Sequence, residues 1–215
     1  MRLLFPRILF SLVLFLFISQ ASFAQLGVKA GLNYSTIRYD IADLVNINDP
    51  NEETEWKFGP YVGVFYQKAW SDKFTSSVEV LYTQKGLKSN IATQGGDNFQ
   101  VHLHYFSIPL MVYFLPTEKI ALGLGTEVTY LFDRTSNQPN QTSPQLLDAL
   151  YDQDVDISLN TGAKIQLANR LWLEARFNLG LISVQEIEYT DINGQALGIV
   201  NAHNRTFQLG LGYEL

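Results

Sequence analysis

The chain has 215 residues, 47% of them hydrophobic and 17% charged, which excludes a disordered or fibrous protein and allows one folded domain or at most two. Fifteen basic and 21 acidic residues give a net charge of −6, the wrong sign for a nucleic-acid binder that works by neutralising phosphates. There is no cysteine, so disulfides, thiolate metal sites, cysteine nucleophiles and a lipid-modified N-terminal cysteine are excluded.

Residues 1–24 read as a signal peptide. Arg2 and Arg7 make a short positive region, Ile8 to Ile18 is an almost unbroken apolar run, and Ser22-Phe23-Ala24 supplies small residues at −3 and −1. The apolar run is shorter than the ~20 residues a spanning helix needs. Cleavage between Ala24 and Gln25 is therefore expected, leaving one domain over 25–215 with 13 basic and 21 acidic residues, a net charge of −8.

The rest of the chain repeats one pattern, a strand of strict period two. Leu26, Val28, Ala30, Leu32 and Tyr34 share a face opposite Gly27, Lys29, Gly31, Asn33 and Ser35. The same split follows in Phe58 to Tyr66, Val78 to Tyr82, Phe106 to Phe114, Leu122 to Tyr130, Ile157 to Leu167, Leu171 to Leu181 and Phe207 to Leu215. That makes eight strands, an even number that suits an up-and-down barrel with both chain ends on one side of a membrane.

The connections alternate in length. Long ones span about Arg38 to Lys57, Ser89 to Gln100, Arg134 to Val155 and Gln185 to Asn204, and tight turns fall at Ser71-Asp72-Lys73, Pro116-Thr117-Glu118-Lys119 and Ala168-Asn169-Arg170. Outer-membrane barrels have short periplasmic turns and longer extracellular loops. Within the third long connection, Ser143-Pro144 followed by Gln145 to Tyr151 predicts a short helix.

A soluble lipocalin-like periplasmic carrier shares this alternation but turns its apolar face inward. Glycine argues for the membrane barrel. Ten of the fifteen glycines, Gly27, Gly31, Gly59, Gly63, Gly123, Gly125, Gly162, Gly180, Gly210 and Gly212, lie on the polar face, where a tightly curved interior must make room for Tyr61, Phe65, Tyr105, Tyr113 and Trp172. The apolar face carries aromatics at both ends: Tyr34, Phe58, Tyr82, Phe106, Tyr130 and Phe207 toward the long connections, and Tyr66, Phe114 and Tyr213 toward the short turns. Two such girdles mark membrane interfaces.

This alternation, with the opening Gln25-Leu26-Gly27-Val28-Lys29-Ala30-Gly31-Leu32-Asn33, the central Tyr105-Phe106-Ser107-Ile108-Pro109-Leu110 and the late Leu173-Glu174-Ala175-Arg176-Phe177, resembles the PorT-like outer-membrane β-barrel proteins of Bacteroidota. The resemblance covers the whole mature chain. It implies a Gram-negative cell-envelope protein of a family in which some members are implicated in secretion across the outer membrane and most have no assigned activity.

Six charged residues fall on the inward face: Lys29, Lys164 and Arg176 with Glu79, Glu127 and Glu174. An eight-stranded barrel has room inside only for its own side chains, and buried charges must be paired. A plugging ion-pair cluster is expected. The catalytic inventory is thin. His102 and His104 share one face of a strand, His203 precedes the eighth strand, and Ser89 and Ser107 are candidate nucleophiles, but no nucleophile elbow or fixed-spacing motif joins them. No catalytic residue, resident metal or cofactor is expected. The long connections are acidic, and Asp152, Asp154 and Asp156 at alternate positions form a candidate loop cation site, without the glycine and glutamate of an EF-hand.

The expected protein is all-β, an eight-stranded antiparallel up-and-down transmembrane barrel in a bacterial outer membrane. It acts as a binding, assembly or secretion-associated component through its extracellular loops, its partners outer-membrane lipid, lipopolysaccharide and an envelope protein. The alternatives are a barrel enzyme acting on lipid or peptide and the soluble carrier.

Overall fold

The computed structural model describes residues 24–40, 54–89, 99–137, 153–190 and 196–215. Eight long antiparallel strands form the wall: β1 (Ala24–Asp40), β3 (Lys57–Ser71), β4 (Phe74–Ser89), β5 (Phe99–Thr117), β6 (Ile120–Ser136), β7 (Val155–Ala168), β8 (Leu171–Gly180) and β10 (Ala196–Glu214). Each pairs with the next, and β1 pairs with β10 from Gly27 opposite Glu214 to Asp40 opposite Asn201, so the sheet closes into a ring. Closure satisfies every wall strand on both sides and removes the sheet edge.

Two further strands are short. β2 (Thr54–Glu55) pairs with β4, and β9 (Gln185–Thr190) pairs with the first part of β10. The second corrects the expected fourth connection, Gln185 to Asn204, most of which is a β-hairpin. Its alternation has the opposite sign from that of the membrane strands, because Val200 and Ala202 are fully buried on the inner side while Asn201 and His203 face partly outward. The wall therefore stands well beyond the aromatic residues at the long-connection end.

The tight turns are two residues each, Asp72-Lys73, Glu118-Lys119 and Asn169-Arg170. Arg170 takes φ 68°, the left-handed conformation that such a hairpin turn requires. The expected leader lies outside the described residues except for Ala24, and so do the expected helix over 145–151 and most of the acidic connection residues.

The facing of the strands follows the period-two reading. Leu26, Phe58, Val64, Ile108, Leu110, Leu124 and Leu209 are exposed on the outside, whereas Glu79, Glu127, Asn160 and Arg176 are buried within. Glycine makes the inward packing fit. A Cβ on Gly210 would lie 2.2 Å from the hydroxyl of Tyr61, and one on Gly123 would lie 2.6 Å from the ring of Tyr113. Pro109 sits inside a wall strand, with no N–H to give. The β4–β5 ladder lapses there, between Val78 opposite Leu110 and Leu81 opposite Ser107.

From Phe106 to Phe114 on β5 is about 27 Å of strand, which at a tilt of ~40° rises about 21 Å, near the ~25 Å height of an outer-membrane apolar band. In register, Phe106 lies between Tyr82 and Tyr130, and Tyr34 between Phe58 and Phe207. The rings also touch: Tyr34 packs on Phe58 at 4.7 Å and Phe74 on Phe114 at 5.5 Å. Trp56, Trp70, Phe74 and Phe132 are exposed aromatics that extend these belts beyond the nine residues expected. Phe132 is the extra residue of a bulge between His104 opposite Asp133 and Tyr105 opposite Leu131, and it stacks on Phe106 at 4.5 Å.

Candidate functional site

Inward phase and barrel curvature bring four charged groups from three strands together. Arg176 on β8 donates from Nη2 to Glu79 Oε1 at 2.7 Å and from Nη1 to Glu79 Oε2 at 3.2 Å, a forked pair across the lumen to β4. The same Nη2 reaches Glu174 Oε1 at 2.7 Å. Lys29 on β1 donates to Glu79 Oε2 at 3.0 Å and also to Glu174. Tyr113 closes the network, its hydroxyl donating to Glu174 Oε1 at 2.8 Å and accepting from Arg176 at 3.2 Å.

Glu127 belongs to a second group. It accepts from Lys85 at 3.0 Å, Asn178 at 2.7 Å, Asn160 at 3.2 Å and Ser107 at 3.3 Å. Lys85 was not among the residues singled out from the sequence, and Tyr113 was named there only as a bulky inward ring. Lys85 stands in the same odd-numbered phase of β4 as Glu79, so its inward facing was legible there, whereas its partner was not. Lys164 stands opposite Glu174 in register but beyond ion-pair distance of it, with Nζ 3.8 Å from the ring centre of Tyr113 and 5.7 Å from that of Phe65. It is a cation over aromatic faces, not a member of an ion pair among the described residues.

Above this polar tier the interior changes character. Ile37, Leu87, Val101, Leu103, Leu131 and Val184 pack with Tyr105 and Ala202 into one buried apolar cluster inside the ring at the long-connection end. The expected ion-pair plug did not include this apolar cap. The wall there has left the apolar band, and an interior facing no lipid constraint is sealed as in a soluble barrel, by apolar packing. Near the junction, Asp156 Oδ1, Asn178 Oδ1, Asn204 Oδ1 and Thr206 Oγ1 have no protein partner among the described residues.

Of the three alternate aspartates, the two described residues, Asp154 and Asp156, have different partners. Asp154 is exposed and holds Arg134 at 2.6 Å, Asp156 is buried and accepts from Asn204 at 2.9 Å, and Asp152 lies outside the described residues. His104 faces outward among aromatics, its Nδ1 2.8 Å from the hydroxyl of Tyr82, and Ser107 donates inward to Glu127. No cluster of three metal-ligating side chains occurs among the described residues.

Among the described residues, ion pairs below and apolar packing above fill the interior, and a cavity beside Lys29, Lys164 and Trp172 holds about 10 Å³, space for a single water. No steady current is therefore expected from the protein in a planar bilayer. A Leu103→Ala, Leu131→Ala variant removes part of the cap while leaving the ion pairs, and it too is expected to be silent. Steady channels from the parent protein would mean that the interior is open.

A closed ring of antiparallel strands, apolar outside and charged within, with exposed aromatics toward both ends of its apolar face, defines an integral outer-membrane β-barrel. The chain belongs to the outer membrane protein beta-barrel domain family, whose profile matches residues 18–186, and it is a protein of the bacterial outer membrane. No curated protein matches its sequence. Among solved structures it is similar to Ail, the attachment invasion locus protein of Yersinia pestis, at 11% identity over 89% of this chain and 99% of that one, with a TM-score of 0.45. OprG of Pseudomonas aeruginosa gives 10% over 89% and 96%, TM-score 0.48, and Neisserial surface protein A gives 12% over 89% and 99%, TM-score 0.48. These superpositions are loose, and no role transfers with them.

Proposed function

We propose that the protein is a non-conducting outer-membrane component that binds or assembles with an envelope partner through its extracellular rim. Within the barrel family we place it with the PorT-like proteins of Bacteroidota and their association with secretion. The observation that carries this reading is the contrast between the two ends. The interior is filled, and the periplasmic strand ends are joined by turns of two residues, while at the other rim residues 41–53, 90–98, 138–152 and 191–195 connect the strands. Closing a hairpin needs far less chain than the first and third of these contain.

Ile41, Leu44 and Val45 in the first stretch and Leu146, Leu147 and Leu150 in the third stand among acids, a mixture suited to docking. A binding role is preferred to a catalytic one because His102 and His104 face outward and Ser107 is committed to Glu127. Replacing 41–53 and 138–152 each by a short Asn-Gly turn keeps the Arg134–Asp154 pair. The variant is expected to remain a folded, heat-modifiable barrel, to lose the partner captured by cross-linking wild-type outer membranes, and to lose the cellular role. Retention of both by the double replacement would move the function to the wall or lumen.

A further inference from the structure

Above the extracellular aromatic belt, most cations of the wall are matched. Lys88, facing outward, holds Glu55 at 2.8 Å, while Arg134 and Lys57 stand in inward phase opposite the buried Leu103 and Ser35, Arg134 holding Asp154 at 2.6 Å and Lys57 lying against the carbonyl of Phe58 and Gln84 Oε1. Two arginines differ. Arg38 on β1 and Arg205 on β10 have no carboxylate within ion-pair distance among the described residues.

They also stand side by side across the seam that closes the ring. Arg205 lies opposite Thr36 and Arg38 opposite His203, which makes the arginines diagonal neighbours, ~7 to 8 Å apart at the backbone. Both share the outward phase of Tyr34 and Phe207, which oppose each other one pleat below Arg205. The nearby acid, Asp40, lies 3.3 Å from Nε2 of His203. Arg205 is anchored from Nη1 to the carbonyls of Gly180 at 3.2 Å and Asn204 at 3.5 Å, which leaves Nη2 and Nε to point elsewhere.

Like charges on neighbouring strands repel, and an anion between them turns the repulsion into attraction. The kind of anion follows from what lies beneath. Trp56 stacks on Tyr34 at 5.0 Å and Phe58 packs on Tyr34 at 4.7 Å, an aromatic shelf at the boundary between acyl chains and headgroups. Arg205 stands one pleat above that shelf and Arg38 two, the level of a lipid phosphate, and guanidinium matches phosphate with two parallel hydrogen bonds. This rim faces the outer leaflet, whose glycolipid carries phosphates on its sugar headgroup. We propose that Arg38 and Arg205 form a phosphate-binding site for lipid A on the outside of the β1–β10 seam, with the acyl chains lying along the Tyr34–Trp56–Phe58 shelf. The inference rests on the orientation of the barrel and not on the role of the extracellular loops.

The mature protein, refolded in detergent, is titrated with diphosphoryl lipid A, with the same lipid stripped of its phosphates, and with phosphatidylglycerol, and bound lipid is counted by native mass spectrometry. Diphosphoryl lipid A is expected to bind. Removing its phosphates, or making R38Q/R205Q, is expected to weaken binding about tenfold or more. Lys88→Gln is expected to bind as the parent does, and R38K/R205K to recover part of the loss because charge is kept and only the fork is missing. No binding by the parent, no loss in R38Q/R205Q, or equal binding of the phosphate-free lipid would overturn the site, and equal binding of phosphatidylglycerol would overturn the assignment to lipid A. Heat-modifiable gel mobility establishes that each variant is folded, and if the double variant does not refold, the two single glutamine variants carry the same test.

Discussion

Arg176→Met is expected to lower the free energy of unfolding by about 3 to 5 kcal/mol, read from a urea titration in lipid vesicles. The guanidinium is 2% exposed and serves two carboxylates, Glu79 and Glu174, themselves 1% and 4% exposed. An apolar side chain of similar length fills the space but leaves two carboxylates with one remaining cation within ion-pair distance, Lys29. Desolvation of the uncompensated charge dominates, because the lost pair itself contributes little net stability once its own desolvation is counted. Adding Glu79→Gln should therefore restore part of the loss, since Lys29 still neutralises Glu174. If Arg176→Met is as stable as the parent, water must reach the carboxylates, and the expectation of a filled, silent lumen fails.

Leu110→Arg is expected to cost about 2 to 4 kcal/mol in the same titration. Leu110 is half exposed on the outer wall, and it lies midway between Phe106 and Phe114, the residues that mark the two belts on β5. Its side chain faces hydrocarbon, where a guanidinium can neither pair nor reach water without distorting the bilayer. A graded series tests the depth. The same change at Phe106 or Phe114 should cost about 0 to 1 kcal/mol, because the charge there can reach the interface. A flat response across the three positions would contradict the placement of the band.

The strands and their facing were legible because one physical constraint governs them: a residue touches lipid or it touches the lumen, and the choice alternates with period two. Lys29, Glu79, Glu127, Lys164, Glu174 and Arg176 could be placed inside on that ground alone. Who meets whom was not legible. Arg176 reaches Glu79, 97 residues away, because of strand tilt and stagger, and these are properties of the closed ring rather than of any segment. Glu127 accordingly finds Lys85 instead of Arg176.

The outer extension of the wall was missed for a related reason. Beyond the membrane the outside no longer has to be apolar, so Val200 and Ala202 point inward and the sign of the alternation reverses, which makes β9 and the start of β10 look like a polar loop. Arg38 and Arg205 were hidden in the same way. Each fell inside or at the edge of a stretch read as connection, and only closure sets them beside each other.

The seam between β1 and β10 also governs how the barrel comes into being. Every other pair in the ring joins long strands that follow one another along the chain, with only the short β2 or β9 between them in two cases, and can zip up as the chain proceeds, but Gly27 must wait for Glu214. Until β10 arrives, the sheet has two bare edges and a greasy convex face, the features that drive aggregation in water and are forbidden in lipid. Insertion is thus concerted at its last step and slow, with the arrival of the C-terminal strand as the event that commits the chain to the membrane. Loss of the final few residues is more damaging than loss of the same number from any loop, since it leaves an open curl with no compartment in which it is stable.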